Sequence, residues 1–345
     1  MVRSEVNLPR ESEWTRSGGR RRQRLVVKSI LLIRYSALGD VVLATSLLQP
    51  LRQKYPDARI EWVTDANFAP LLAGVVDRVI PFSRKDPASK AAVLSEVKGR
   101  FDLAIDLQNK FWSMRVARAA AGQRLRFVRR TALQALGSLF GRDVIFDGEH
   151  AVDLYAHAAQ LEKGGAVALV ASEAAKARAA ELVPEARWVA VAPGAAWESK
   201  RWPAGRFGEV AKTLRADGYR IALVGGPMDG ALLDAVRAEC TPDVDLTRES
   251  LEVLAACLGR VSLLIGNDSG LVHVTLAMGK PALALFGPTS VKRWGPREPG
   301  AALSLELDCA PCSNHGSRAC PLGHHDCLQK LDVTRVLAEA RRLLR

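Results

Sequence analysis

The feature that most restricts the fold of this chain is an alternation of apolar strands and helical segments that occurs twice. The predicted strands of the first series are Leu25–Arg34, Arg59–Thr64, Asp77–Pro81 and Leu103–Asp106. Those of the second series are Trp188–Ala192, Arg220–Val224, Val261–Ile265 and Ala282–Phe286. Buried strands that alternate with helices are typical of a doubly wound α/β domain with a mostly parallel sheet. The pattern therefore predicts two Rossmann-like domains.

The domain boundaries follow from where each series begins and ends. We predict a basic, disordered tail over residues 1–24, a first domain over 25–165, a second domain over 166–330 and a C-terminal helix over 331–345. The helical region Val152–Val183 is expected to join the domains. The tail has seven Arg and three Glu and lacks the apolar core of a signal peptide. No run approaches the ~18 apolar residues of a membrane span, so we expect a cytoplasmic protein.

The chain carries an excess of positive charge, which indicates the kind of molecule that it binds. The chain has 49 Lys and Arg against 37 Asp and Glu, which gives a formal net charge of +12. Its hydrophobic content of 48% is ordinary for a globular protein and excludes a mainly disordered chain. The charge favours an anionic partner, which could be nucleic acid, a membrane surface or a phosphorylated ligand.

Asp40 is the first candidate functional residue, because it follows the first predicted strand and precedes a helix. Open α/β sheets bind their ligands at this edge. One interpretation is a helix cap, since an Asp at that end accepts hydrogen bonds from free backbone N–H groups. The other is a general base. With an ordinary pKa of about 3.9, Asp40 is ionised and can accept a proton from an attacking hydroxyl.

A second candidate site is the loop of residues 193–203, which also lies between a strand and a helix. Gly194 would allow a ligand to approach the backbone closely, and Lys200 would place a positive charge on a phosphate. The alternative is a surface loop with a solvated lysine. The G-x-x-x-x-G-K-[ST] spacing of a Walker A loop is absent.

A third candidate site is the segment of residues 266–273. Ser269 and Gly270 would offer backbone N–H groups to an anion at a helix N-terminus, and His273 follows one turn later. Taken singly, Asp268 could be a helix cap and His273 a core histidine. The loop that begins at Phe286 ends the next strand at the same edge. Because three loops converge there, a phosphate site explains them better than separate caps do.

Four of the six cysteines crowd into a short C-terminal segment. They are Cys309, Cys312, Cys320 and Cys327. One C-x2-C pair with irregular further spacing makes them candidate ligands of a structural zinc ion. The alternative is a loop of thiols that are reduced, as a cytosolic chain would keep them, or opportunistically paired.

The chain resembles glycosyltransferase family 9, the lipopolysaccharide heptosyltransferases. The resemblance rests on ILLIRYSALGDVVLATSLL, PGAAWESKRWP, LIGNDSGLVHVTLAMGKPALALFGPT and CAPC…CPLGHHDCL, which occur in family order from residue 28 onward. It implies a GT-B fold, in which two Rossmann-like domains face each other across a cleft. It also implies inverting transfer of a sugar from an ADP-activated heptose to a lipid A–core acceptor, with no metal required for catalysis.

The resemblance also implies roles for single residues. Asp40 matches the catalytic base, Lys200 the lysine that binds the donor diphosphate, and Asp268 the acidic residue near the donor sugar and ribose. The phosphate-binding segment is matched by Ser269, Gly270 and His273. The chain departs from the family at Ala195 and Ala196, where some heptosyltransferases have hydroxyl residues. This departure leaves the exact donor open.

The acceptor side can be sought through the basic run of residues 110–130, which has seven Lys or Arg and no acidic residue. Its candidate acceptor ligands are Arg115, Arg118, Arg126 and Arg129. An anionic glycolipid suits this run, because arginine can hold a phosphate bidentately. Binding such an acceptor would bring the protein transiently to the cytoplasmic face of the inner membrane. The alternative is a solvated basic helix face.

Three hypotheses on function follow. The first is an inverting heptosyltransferase of lipopolysaccharide core synthesis. The second is a family 9 transferase with another nucleotide sugar or acceptor. The third, from another class, is a non-catalytic basic scaffold that binds anionic lipid or nucleic acid. Nucleic acid is not expected, because the sequence has no RRM, zinc-finger or convincing helix-turn-helix signature.

Overall fold

The computed structural model describes residues 26–127 and 148–345. The predicted tail of residues 1–24 and the candidate Arg129 lie outside these ranges. The described residues form two parallel sheets, one from each strand series. The predicted fold class of two Rossmann-like α/β units is therefore present.

The first sheet has five parallel strands in the order β3-β2-β1-β4-β5. The strands are β1 (Ser29–Ile33), β2 (Arg59–Asp65), β3 (Arg78–Phe82), β4 (Leu103–Asp106) and β5 (Gln123–Arg126). The helices around it are α1 (Leu38–Ala44), α2 (Leu48–Lys54), α3 (Ala69–Leu72), α4 (Pro87–Val97), α5 (Phe111–Ala120) and α6 (Ala151–Ala158). The sequence did not predict β5, because this edge strand is mostly exposed and polar and so lacks the apolar signal of a buried strand.

The second sheet has six parallel strands in the order β11-β10-β9-β6-β7-β8. The strands are β6 (Trp188–Ala192), β7 (Arg220–Leu223), β8 (Val244–Asp245), β9 (Leu263–Asn267), β10 (Ala282–Leu285) and β11 (Ala301–Leu303). The helices are α7 (Glu173–Leu182), α8 (Ala204–Ala216), α9 (Gly230–Glu239), α10 (Leu251–Leu258), α11 (Gly270–Ala277), α12 (Val291–Trp294), α13 (Asp326–Gln329) and α14 (Val333–Leu343). The last of these lies within the predicted C-terminal helix and packs on α8.

The predicted helical region Val152–Val183, which was expected to join the domains, does join the two units but is helical only towards its two ends. The structure has α6, then an irregular stretch through residue 172, and then α7. Gly164 and Gly165 interrupt the helical pattern, and the Gly165 N–H donates to the Ser46 carbonyl at 2.8 Å. Because α6 packs on α1 and α7 packs on α10, the chain crosses between the two units in this stretch. The exact domain boundaries stay a prediction.

The two units meet through packed helices, and two glycines set how closely these helices approach. The N-terminus of α1 lies against that of α11. A Cβ on Gly39 would lie 3.0 Å from Cδ2 of His273, and a Cβ on Gly270 would lie 3.0 Å from the Gly39 nitrogen. Larger residues would separate the helices. The contact brings Asp40, on the first turn of α1, next to the second unit. No helix in the described parts is long and apolar enough to cross a membrane.

Candidate functional site

A cavity of about 430 Å³ lies between the carboxyl edges of the two sheets. Five residues that the sequence singled out line it: Asp40, Lys200, Asp268, Gly270 and His273. The lining also includes Gln108, Asn314 and His315, which sequence analysis did not assign to the site, and Arg34, Lys110 and Trp197, which lie in segments that it singled out. The structure therefore brings these five predicted residues, from both units, into one site.

Asp40 is held by three hydrogen-bond donors. Arg34 forms an ion pair with it, with 2.7 Å between Nη2 and Oδ1, and the Tyr155 hydroxyl donates to the same Oδ1 at 2.5 Å. The Ala37 N–H donates to Oδ2 at 3.3 Å, which is the bond expected of a helix cap. A carboxylate has about four acceptor positions, so Asp40 caps α1 and still retains capacity for another donor.

The surroundings of Asp40 keep its carboxylate ionised. Burial acts to raise the pKa of Asp40, but Arg34 and the hydrogen bonds from Tyr155 and Ala37 outweigh it, so the pKa lies below its usual value. The side chain is 18% exposed and lines the cavity. Asp40 is therefore a carboxylate at neutral pH with access to a ligand, which is the state that a general base requires.

The loop before Asp40 is fixed by a neighbouring strand end. The side chain of Gln108, just after β4, accepts hydrogen bonds from the N–H groups of Tyr35 and Ser36 at 3.1 and 3.2 Å. Sequence analysis missed both Gln108 and Tyr155. Neither belongs to a recognisable motif, and Tyr155 is 115 residues away from Asp40, so no local pattern connects them.

Across the cavity, Lys200 and Asp268 form an ion pair with 2.5 Å between Nζ and Oδ2. Both side chains are largely buried. Asp268 also accepts a hydrogen bond from the Thr289 hydroxyl at 2.6 Å. The three residues come from three loops at the carboxyl edge of the second sheet, as the sequence predicted for that edge. Charge-assisted bonds of this kind hold the Lys200 ammonium at the cavity wall.

The N-terminus of α11 has unused hydrogen-bonding groups. Ser269 is the N-cap residue, yet its hydroxyl makes no capping bond, and it is buried without a partner among the described residues. His273, one turn later, is buried, and its Nδ1 has no partner in those residues either. Burial lowers the pKa of His273 to about 4, so the ring is neutral at pH 7. This end of α11 can offer N–H and O–H groups to an anion.

The loop of residues 193–203 departs in part from expectation. Gly194 does not line the cavity, and a Cβ there would lie 2.5 Å from Oδ2 of Asp229. The space beside Gly194 is thus taken by a carboxylate of its own chain. Ala195 is buried, with its carbonyl accepting from Arg201, whereas Ala196 lines the cavity without a polar side chain.

The cysteine-rich segment braces the Lys200 loop. The Ser317 N–H donates to the Ser199 hydroxyl at 2.8 Å, and the Ser199 N–H donates to the Ser317 carbonyl at 3.1 Å. His325 Nε2 lies 2.6 Å from the Ser199 carbonyl. The same segment supplies Asn314 and His315 to the cavity. The segment therefore contributes to the site in two ways: it contacts Ser199, the residue next to Lys200, and it forms part of the cavity wall.

The four cysteines of this segment are free thiols in the structure. Burial, and then the neighbouring thiols, raise the pKa of Cys327 to about 11, so this thiol is protonated at neutral pH. Within residues 26–127 and 148–345, no three His, Cys, Asp or Glu side chains are grouped closely enough to hold a metal ion. Zinc binding by the four cysteines stays a prediction.

The candidate acceptor arginines lie outside the cavity. Arg115 and Arg118 are exposed on α5, and Arg126 is exposed on β5. None of the three lines the cavity, whereas Lys110, at the start of the same basic run, does.

Known proteins match the chain over most of its length. The model of glycosyltransferase family 9 (heptosyltransferase) matches residues 91–322. Lipopolysaccharide heptosyltransferase 2 of Escherichia coli is 27% identical over 91% of this chain and 98% of its own length. Lipopolysaccharide heptosyltransferase 1 of Pseudomonas aeruginosa is 27% identical over 82% and 85%.

A solved structure agrees with these matches. The E. coli ADP-heptose lipopolysaccharide heptosyltransferase II superposes with a TM-score of 0.71 at 25% identity, covering 92% of this chain and 98% of that one. The two units thus form the GT-B fold that the resemblance implied. The relatives are enzymes, which removes the hypothesis of a non-catalytic scaffold. This chain belongs to glycosyltransferase family 9, the heptosyltransferase family, and is a glycosyltransferase.

Proposed function

We propose that the protein transfers a heptose from an ADP-heptose donor to a lipid A–core acceptor, with inversion at the anomeric carbon. The observation that carries this proposal is the cavity, which sets the ionised Asp40 of the first unit opposite Lys200 and the α11 N-terminus of the second. One wall can take a proton and the other can hold a diphosphate. The choice of ADP-heptose as the donor and of a lipopolysaccharide core as the acceptor rests on the names of the relatives.

Asp40 acts as the general base in this proposal. Its carboxylate accepts the proton of an acceptor hydroxyl while that oxygen forms a bond to the anomeric carbon of the donor. Arg34 and Tyr155 orient the carboxylate through Oδ1, and Oδ2 keeps capacity for the incoming proton. Attack from the side opposite the leaving group inverts the anomeric centre.

Lys200 and the α11 N-terminus stabilise the leaving group. As the bond between the anomeric carbon and the phosphate oxygen breaks, negative charge grows on the β-phosphate of ADP. The Lys200 ammonium and the N–H groups at Ser269 and Gly270 are fixed donors that meet this charge. His273 is neutral, so it contributes a hydrogen bond without adding charge.

On the acceptor side, two cationic residues line the cavity: Arg34 is paired with Asp40, and Lys110 lies near Gln108. We assign Lys110 to an anionic group of the acceptor core, because its ammonium lies on the wall of the unit that carries Asp40. The arginines farther along α5 lie away from the reacting atoms.

A donor and acceptor panel tests the proposed function. Purified full-length chain is incubated with ADP-heptose, other ADP-sugars and UDP-sugars, each with acceptors truncated at successive core positions. We expect transfer from ADP-heptose to one truncation. Ala196 lines the cavity without the hydroxyl that some heptosyltransferases have there, so the donor has to be tested directly. Turnover with a different nucleotide sugar would show that the protein is a family 9 transferase with another donor. No turnover with any pair would contradict the proposal.

Transfer should continue at an unchanged rate in excess EDTA. Lys200 and the α11 N-terminus already supply positive charge for the diphosphate, so catalysis needs no added cation. The measurement is initial rate on reduced protein with and without the chelator. A loss of activity that only Mg²⁺ restores would show that the protein groups alone do not neutralise the leaving group.

A further inference from the structure

Helix α5 carries an unusual exposed stripe on its outer side. Phe111, Arg115 and Arg118 are spaced i, i+4 and i+7, so they share one helix face, and all three are exposed. Phe111 is 74% exposed, which is high for a phenylalanine in a folded unit. The opposite face of the helix is buried against the sheet through Val116, Ala117 and Ala120. We call Phe111, Arg115 and Arg118 the α5 stripe.

The α5 stripe begins at the rim of the catalytic cavity. Gln108 and Lys110, in the loop that follows β4, line the cavity, and Phe111 is the next residue. A helix rises 1.5 Å per residue, so Arg115 and Arg118 lie progressively farther from the rim. The stripe therefore forms a surface that starts at the opening through which a ligand reaches Asp40.

Positive charge surrounds the α5 stripe. The edge strand β5 adds the exposed Arg124 and Arg126, and residues 110–127 contain no Asp or Glu. The neighbouring helix α4 has a single acidic residue, Glu96, and Arg78 pairs with it. Asp86, at the α4 N-cap, accepts a hydrogen bond from the helix backbone. The net field in front of the stripe is therefore positive.

We propose that the α5 stripe, together with Arg124 and Arg126, docks on an anionic lipid bilayer. Phe111 enters the boundary between headgroups and acyl chains, where aromatic residues are favoured, and the arginines bind lipid phosphates. The inference rests on the proposed function in one respect: a lipid-linked acceptor explains why the docking surface adjoins the cavity. Docking in this way would open the cavity towards the lipid surface that holds the acceptor.

Vesicle binding of the full-length chain tests this proposal. The probes are vesicles of phosphatidylcholine alone and of phosphatidylcholine with phosphatidylglycerol, assayed by co-sedimentation over a range of salt concentrations. We expect binding to the anionic vesicles that weakens as salt rises. Phe111→Ser, and Arg115→Gln combined with Arg118→Gln, should each reduce that binding about tenfold or more.

Matched controls separate docking from general changes of the surface. Leu322→Ser removes another exposed apolar side chain, and Lys212→Gln with Arg335→Gln removes two exposed charges from the second unit. These variants should bind vesicles as the unmodified chain does. Wild-type binding by the stripe variants, or equal losses in the controls, would overturn the proposal. Loss of binding to an oligonucleotide rather than to vesicles would also overturn it, in favour of a nucleic-acid surface.

Activity assays distinguish a failure of docking from a failure of the proposed function. The stripe variants should keep their rate on a deacylated, water-soluble acceptor and lose rate on the same acceptor embedded in vesicles. Equal losses on both acceptors would place the stripe at the acceptor sugar and refute bilayer docking. Stripe-dependent vesicle binding by a chain that transfers no heptose would support docking while contradicting the proposed function.

Discussion

Replacing Asp40 with Asn should lower kcat by roughly a hundredfold to ten-thousandfold, the usual contribution of a positioned general base. Asn keeps the size of the side chain, and its single amide oxygen can still accept the hydrogen bonds that Arg34 and Tyr155 give to Oδ1, but its amide cannot take a proton. ADP affinity should stay unchanged, because the diphosphate groups lie on the other wall of the cavity. Steady-state kinetics and calorimetry with ADP measure the two effects.

The control for this prediction is Tyr155→Phe, which leaves the carboxylate in place and removes one hydrogen bond to it. That bond lowers the pKa of Asp40, so its loss should move the acid limb of the rate profile to higher pH, with less than about a tenfold fall in kcat. If Asp40 were only a helix cap, Asp40→Asn would change the thermal stability and leave kcat intact. An unchanged kcat would therefore remove Asp40 from the mechanism.

The strands were predictable because burial on both faces of a parallel sheet demands apolar sequence. Leu103–Asp106 and Trp188–Ala192 were predicted to the residue, and both strands are fully buried. A strand that is not buried on both faces does not need an apolar sequence, so it lacks the pattern by which buried strands are predicted. The exposed edge strand β5 satisfies its backbone by pairing with β4, which leaves its side chains free to be Gln and Arg. Chain composition therefore could not reveal it.

Those residues of the candidate site were predictable that lie in a loop directly after a recognisable strand. The loops that carry Asp40, Lys200 and Asp268 each follow a recognisable strand, and the carboxyl ends of the strands bring them to the cleft. Contacts across the fold were not predictable. The ion pair between Lys200 and Asp268 joins residues from two loops, and its geometry depends on the packing of β6 beside β9.

The contacts of the cysteine-rich segment were also not predictable from the sequence. The spacing of Cys309, Cys312, Cys320 and Cys327 suggested metal ligands, but spacing does not determine whether side chains converge. The structure shows that the backbone of the segment and residues between the cysteines, such as Ser317, contact the Lys200 loop, and it leaves zinc binding a prediction. Hydrogen bonds between segments that are far apart in the sequence, such as those joining Ser199 and Ser317, have no local sequence signature, so this role required the fold.

Replacing Lys200 with Ala should weaken ADP binding about tenfold to a hundredfold, which corresponds to the ~1.5–3 kcal/mol of a charge-assisted contact. Two effects add. The phosphate loses the ammonium group, and the largely buried Asp268 carboxylate loses its partner across 2.5 Å and then repels the diphosphate. Calorimetry with ADP at constant ionic strength measures the change. Lys212→Ala, which removes an exposed lysine elsewhere in the second unit, is the matched control and should bind ADP normally.

A double variant separates these two effects. Lys200→Ala with Asp268→Asn still lacks the ammonium group but no longer presents an unpaired carboxylate to the phosphates, so part of the lost ADP affinity should return. The Asn side chain can still accept the hydrogen bond that the Thr289 hydroxyl donates to Asp268, so the loop should keep its conformation. A coupling between the two substitutions is expected because the residues are in direct contact. Additive losses would mean that Asp268 does not face the diphosphate, and normal ADP affinity in Lys200→Ala would exclude Lys200 from the donor site.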